Sequence, residues 1–251
     1  MKKIIITGAT SGIGLGAAKA LLEKTDYFVI SVSRDNKKIE ECKEYLKNYN
    51  NRIDFYAADI SDEDQISKFT KTITDKYNCI DGLVNAAGII KPGGIEECSF
   101  EDWNQVMNIN LNGTFLITKA LIPLLKKSSL NPSIVNISSV NSIRCGTSLP
   151  YSVSKAAMDM FTKSLALSLA KYQIRANCVN PGVVISNLQK SAGICKTEDE
   201  YQDFLKRMEA CHPLGRVGEP ADISGAIIYL LSEEAQWVTG AVLSVDGGRA
   251  I

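Results

Sequence analysis

The sequence predicts an α/β fold: one doubly wound, seven-stranded parallel sheet with helices on both faces. Three observations carry this expectation. Short β-branched runs alternate with longer stretches of helical period, as happens when crossover helices join parallel strands buried on both faces. A glycine-rich turn stands at the first strand-to-helix junction. The 251 residues, 45% hydrophobic, are enough to fill one large core, and no repeat, low-complexity tract or Pro/Ser-rich linker divides them. A single domain over 1–251 follows.

Taken in order, the apolar run KIIIT gives a strand over Lys3–Thr7, and FVISVS gives one over Phe28–Ser33. Further strands are expected over Ile53–Ala57, Gly82–Asn85, Ile134–Ser138, Arg175–Val179 and Val242–Val245. Helical periodicity between them predicts helices over Gly14–Glu23, Lys37–Tyr49, Glu63–Tyr77, Phe100–Lys126, Tyr151–Ala170 and Pro220–Ser232. The polar stretch from Ser186 to His212 breaks the alternation and ends at Pro213 without feeding a strand. It reads either as a lid over a substrate or as an ordinary surface helix pair.

Charge and cysteine content exclude several functions. Lys and Arg number 28 and so do Asp and Glu, which leaves no positive field for nucleic acid or an anionic bilayer. The seven cysteines are scattered and nowhere spaced as CxxC, which speaks against a disulfide framework or zinc knuckle and for reduced thiols in the cytoplasm. The amino terminus is interrupted by glycines before a signal core or membrane span is complete. His212 is the only histidine, so a histidine-rich metal site is excluded and a Ser/His/Asp hydrolase would rest on that residue alone.

In TGATSGIG, Gly8, Gly12 and Gly14 follow a strand and open a helix, where absent side chains let backbone amides approach a pyrophosphate. The second strand ends at Ser33 and Arg34, a hydroxyl and a permanent cation where an acidic residue would select a free ribose 2′-hydroxyl. This favours NADP(H). Asp35 stands one residue on and would serve NAD(H) if the turn were displaced. Asp59 in AADIS lies just past the third strand, placed for an adenine edge, and Asn85 in NAAG ends the fourth strand near the glycine turn.

Tyr151 and Lys155 are four apart in YSVSK, on one face of a helix. A neighbouring ammonium and an oxidised nicotinamide both favour the phenolate, so the pair is expected to bring the tyrosine towards working pH as a general acid and base. A hydroxyl at the end of the Ile134 strand, Ser138 or Ser139, would donate to the same substrate oxygen.

These motifs, from TGATSGIG through NAAG, NISS, YSVSK and NPG to the terminal DGG, resemble the short-chain dehydrogenase/reductase family, with its Rossmann-like fold, over nearly the whole chain. The resemblance implies an oxidoreductase, similar to members that reduce 3-oxoacyl thioesters. It adds Thr10, Ser11, Ile13, Ile60, Ala86, Ala87 and Gly88 to the cofactor-binding set. It gives Asn110 the role of holding a relay water for Lys155, and Pro181, Gly182, Val184 and Ser186 that of binding the nicotinamide carboxamide, Ser186 replacing a more usual threonine. By context the catalytic serine is Ser139, whereas the family's common interval back from Tyr151 lands on Ser138; Ser139 is favoured because loops absorb deletions more easily than strands.

Apolar residues surround much of the Tyr151 helix, among them Met160, Phe161, Leu165 and Leu167, which predicts a homo-oligomer, dimer or tetramer, built on that helix and the Phe100–Lys126 helix. Lys126, Lys127 and Lys171 offer themselves to an acidic carrier protein. The alternatives from other classes are a dinucleotide-sensing regulator, which has no need of the Ser/Tyr/Lys set, and a hydrolase using His212, which lacks a GxSxG elbow.

Overall fold

A computed structural model describes residues 1–251. Seven parallel strands, β1 (Lys3–Thr7), β2 (Phe28–Ser33), β3 (Ile53–Ala57), β4 (Gly82–Asn85), β5 (Ser133–Ile137), β6 (Arg175–Pro181) and β7 (Val242–Val245), form one sheet in the order β3-β2-β1-β4-β5-β6-β7. The strand order reverses between β1 and β4, which opens a crevice at their carboxyl ends. Register pairs Thr7 with both Val32 and Asn85, so the three central strands end level at that crevice.

The helices are α1 (Gly12–Lys24), α2 (Asn36–Tyr45), α3 (Glu63–Lys76), α4 (Phe100–Met107), α5 (Gly113–Leu125), α6 (Leu149–Leu169), α7 (Leu188–Ser191), α8 (Glu198–Glu209) and α9 (Pro220–Leu231). Successive strand side chains point to opposite faces, and the core divides accordingly. Ile4, Ile6, Val84, Val135 and Val179 pack with α1 and α9, while Ile5, Leu83, Ile134 and Ala176 pack with α3, α5 and α6. Continuous apolar strands such as KIIIT arise because both faces are covered.

Four expectations are corrected. The helix expected over Phe100–Lys126 is interrupted by a π-helical turn at Asn108–Asn112, because the buried Asn110 side chain turns to the backbone of Ile89. The helix expected from Lys37 begins at Asn36, capped by the Asp35 carboxylate on the Lys38 amide at 3.1 Å, and gives way to a 3-10 turn at Lys47–Tyr49. The Tyr151 helix starts earlier, at Leu149, with Ser148 as its N-cap and Pro150 in the first turn. The last strand is not buried on both faces: β7 is one of the two sheet edges and Leu243 on it is exposed. Within the Ser186–His212 stretch, α7 and α8 form a helix pair with a small apolar cluster of Cys195, Tyr201, Leu205 and Val217.

Candidate active site

The glycine turn is shaped by close approach. Gly8 (φ +68°) and Gly12 (φ +51°) occupy the left-handed region. A Cβ on Gly8 would stand 2.8 Å from the Ala87 Cα, and one on Gly14 would stand 2.3 Å from the Gly8 carbonyl oxygen. Thr7 Oγ1 accepts from the Ala86 and Ala87 amides at 3.2 and 3.3 Å, which locks NAAG against the turn. Ser11 occupies the N-cap of α1 without a capping side-chain bond, and the first turn has no acid. Its amides are thus left for an anion, and the cradle fits a pyrophosphate. Ile13 packs into the α1 side of the core.

At the end of β2, Thr10 Oγ1 and Ser33 Oγ lie 2.9 Å apart. The Arg34 side chain is 57% exposed, and Asp59 Oδ2 is an ion-pair partner at 3.7 Å. The Asp35 carboxylate is engaged as the α2 cap. Asp59 Oδ1 accepts from the Ser61 amide and hydroxyl at 2.9 and 2.6 Å, which fixes the turn after β3. Ile60 is buried against Gly113, so its side chain belongs to the core. Asn85 also points inward: its amide donates to Thr118 Oγ1 and Asn136 Oδ1 at 3.1 and 2.8 Å. Its placement beside the glycine turn is therefore one of backbone, with the side chain tying β4 to β5 and α5.

The serine alternatives separate clearly. Ser138 Oγ donates to the Lys155 carbonyl at 2.9 Å and so braces β5 against α6. Ser139 lies beside the Tyr151 phenol and draws its pKa back down against the stronger effect of burial, which pushes the phenol up to about 12. The Lys155 ammonium, 4% exposed, donates to the Ile137 carbonyl at 2.7 Å and stands 5.4 Å from the Tyr151 ring centre. Burial lowers its pKa to about 8, opposed by Cys178 and Asp159.

In the protein alone, burial is the leading influence on the Tyr151 phenol and raises it, against the lowering by Ser139. Positive charge brought by the cofactor would act in the opposite direction, towards the phenolate.

Asn110 and Lys155 meet over Gly88, where a Cβ would stand 3.2 Å from Asn110 Oδ1 and 3.7 Å from Lys155 Nζ. The Asn110 amide is fully engaged, accepting from the Ile89 amide at 2.8 Å and donating to the Ile89 carbonyl at 2.9 Å and to Ser154 Oγ at 3.1 Å. Its side chain thus positions the NAAG segment.

Val183 and Val184 are held by a bridge to Gly218, with the Gly218 amide donating to the Val183 carbonyl at 2.8 Å. Ser186 is gripped by the Tyr201 phenol, which accepts from its amide at 3.0 Å and donates to its carbonyl at 2.8 Å. A Cβ on Gly12 would stand 3.3 Å from Ser186 Cβ, so this segment closes over the glycine turn. Both nitrogens of His212 are bonded to backbone, to Met208 and Val183, which leaves neither serine a histidine base. That removes the hydrolase reading.

Sequence reasoning missed Thr7, Ser148 and Ser154. Ser148 carries a local signal, a serine two residues before a proline at a helix start, and besides capping α6 it donates to the Lys91 carbonyl. Thr7 and Ser154 act through contacts distant in the chain, for which no local signal exists.

A family model described as enoyl-(acyl carrier protein) reductase matches residues 8–250. The chain is 34% identical over 251 residues to the 3-oxoacyl-(acyl-carrier-protein) reductase FabG of Thermotoga maritima, covering 100% of this chain and 98% of that one. It is 32% identical over 255 residues to glucose 1-dehydrogenase 2 of Bacillus subtilis, covering 100% and 95%. Among solved structures, ligand-free aldohexose dehydrogenase of Thermoplasma acidophilum superposes with a TM-score of 0.87 at 31% identity, covering 99% and 94% of the two chains. ElxO with NADP bound gives 0.88 at 32%, covering 99% and 98%. No helix is long and apolar enough to cross a membrane. With the doubly wound sheet, the glycine cradle and these relatives in agreement, the chain belongs to the short-chain dehydrogenase/reductase family and is an NAD(P)-dependent oxidoreductase.

Proposed function

We propose that this chain is an NADP(H)-dependent oxidoreductase that exchanges hydride with the carbon of a secondary alcohol or ketone, with Tyr151 as the proton donor and acceptor. The observation that carries the proposal is the convergence of Ser139, Tyr151 and Lys155 at the carboxyl end of β5, beside the glycine cradle. The dinucleotide, when bound, supplies or takes the hydride. Tyr151 gives its proton to the substrate oxygen in reduction and recovers it in oxidation. Ser139 donates to the same oxygen and fixes its distance from the phenol. Lys155 holds the ribose, and Asn110 positions the Gly88–Ile89 backbone beside it. Pro181, Gly182, Val184 and Ser186 receive the nicotinamide end, and 186–212 closes over the substrate as a lid.

NADP(H) is favoured over NAD(H) because Arg34 offers an exposed guanidinium, while Asp35 is committed to capping α2 and Asp59 to the Ser61 turn and to Arg34 itself. The relatives' names include a 3-oxoacyl reductase and sugar dehydrogenases, whose common element is a carbinol or carbonyl carbon. The functioning unit is a cytoplasmic homo-oligomer: Phe115 on α5 and Met160 and Leu167 on α6 are 46%, 62% and 84% exposed, an apolar surface for a second copy. Free thiols throughout the chain suit that compartment.

The deciding experiment is a spectrophotometric screen of carbonyls and alcohols with NADPH, NADH and their oxidised forms, repeated with Tyr151→Phe. Turnover of at least one carbonyl, lost in the variant while dinucleotide affinity is kept, is the expected outcome. Retained turnover in Tyr151→Phe would overturn the assigned role.

A further inference from the structure

We propose that His212 is a positioning residue that sets the Gly182–Val184 backbone for the cofactor's nicotinamide end and couples it to the end of α8; the cofactor part of this rests on the function proposed above. The imidazole is buried, and its two nitrogens bond to two different elements. Nε2 accepts from the Val183 amide at 3.1 Å, and Nδ1 lies 2.6 Å from the Met208 carbonyl. A backbone amide can only donate and a carbonyl can only accept, so the ring is the neutral tautomer with its proton on Nδ1. Met208 belongs to α8, and Val183 is the second residue after β6.

Glycines make room for the ring. A Cβ on Gly182 would stand 2.7 Å from Nε2, and one on Gly247 would stand 3.5 Å from the imidazole carbons. A Cβ on Gly248 would stand 2.9 Å from Pro213. The NPG and DGG motifs are thus the two walls against which the His212–Pro213 pair is seated, and the Leu214 amide closes the arrangement by donating to the Gly247 carbonyl at 3.1 Å. Movement of α8 reaches the Val183 amide through a single ring.

The test compares His212→Phe, which keeps an aromatic ring but cannot accept, with His212→Gln, whose amide oxygen can reach the position of Nε2. Binding of NADPH is followed by its fluorescence, amide exchange at Val183 is measured without any dinucleotide, and the imidazole 15N shifts of the wild type are recorded; as the sole histidine it gives one pair of signals. The expected results are a pyridine-like Nε2 in the wild type, faster exchange at Val183 and about tenfold weaker NADPH binding in His212→Phe, the size of leaving one buried amide unpaired. Recovery of both in His212→Gln is expected too. An Nε2-protonated ring overturns the proposal whether or not either variant folds. Wild-type exchange and affinity in His212→Phe, or equal losses in both variants, overturn it as well. If the wild type binds no dinucleotide, the functional reading falls alone and the shift and exchange measurements still decide the clamp.

Discussion

Replacing Lys155 by methionine should make the protein more stable while removing its activity. The ammonium is buried on α6 and its pKa falls from the ordinary 10.5 to about 8, with desolvation as the leading cause. At about 1.4 kcal/mol per tenfold change in proton affinity, that drop corresponds to about 3 kcal/mol of folding stability forfeited at neutral pH. Methionine removes this cost but leaves the Ile137 carbonyl without its donor, a loss of about 1–1.5 kcal/mol. The net gain is about 2 kcal/mol. The sign with pH follows from the lowered folded pKa: between pH 8 and 10.5 the unfolded chain binds more protons, so wild-type stability rises with pH through that window. The advantage of Lys155→Met should therefore shrink by about 2 kcal/mol between about pH 6.5 and 9.5. Urea unfolding of both proteins without dinucleotide, at those two pH values, measures it. A variant less stable than wild type at the lower pH, or a difference that does not change with pH, would refute the reasoning.

Two further substitutions separate neighbouring roles. Ser139→Ala should lower turnover by about a hundredfold with little effect on stability, whereas Ser138→Ala should act mainly on stability by freeing the Lys155 carbonyl, and the reverse pattern in kcat and urea midpoint would exchange the two assignments. Arg34→Ala should weaken NADPH about tenfold or more and NADH little, measured by fluorescence titration; equal losses would remove the cofactor preference.

Much of the fold was legible because its signals are local. Alternating β-branched and helical stretches placed all seven strands within a few residues, and TGATSGIG stood at the strand-to-helix turn where left-handed glycines are required. The misplaced features depend on partners distant in sequence. Helical periodicity cannot show that Asn110 will turn to Ile89, so the π-turn that divides α4 from α5 was unreadable. The inward rotamer of Asn85 depends on Thr118 and Asn136 in the same way. The spacing of Tyr151 and Lys155 was readable, but the depth to which α6 buries both groups, which raises the phenol and lowers the ammonium, was not. His212 had no motif of its own, and only the packing of Gly182 and Gly247 around the ring gives it a role.

The raised tyrosine pKa bears on the direction of catalysis. A phenol pushed up to about 12 by burial keeps its proton at every physiological pH, which is the form a carbonyl reductase needs. Oxidation needs the phenolate, which burial opposes and which added positive charge favours. With the reduced, uncharged nicotinamide ring the phenol should stay protonated, and with the oxidised, cationic ring its pKa should fall. For reduction at saturating NADPH, kcat/KM for the carbonyl should therefore show no loss assignable to Tyr151 between about pH 6 and 9, while kcat/KM for the alcohol at saturating NADP should rise with pH over the same range. Both profiles are obtained from initial rates followed by the absorbance of the reduced nicotinamide. A reductive profile that falls with a midpoint near about 7, and does so in Lys155→Arg as well, would mean that the phenol loses its proton without help from the cofactor's charge, contrary to the burial argument.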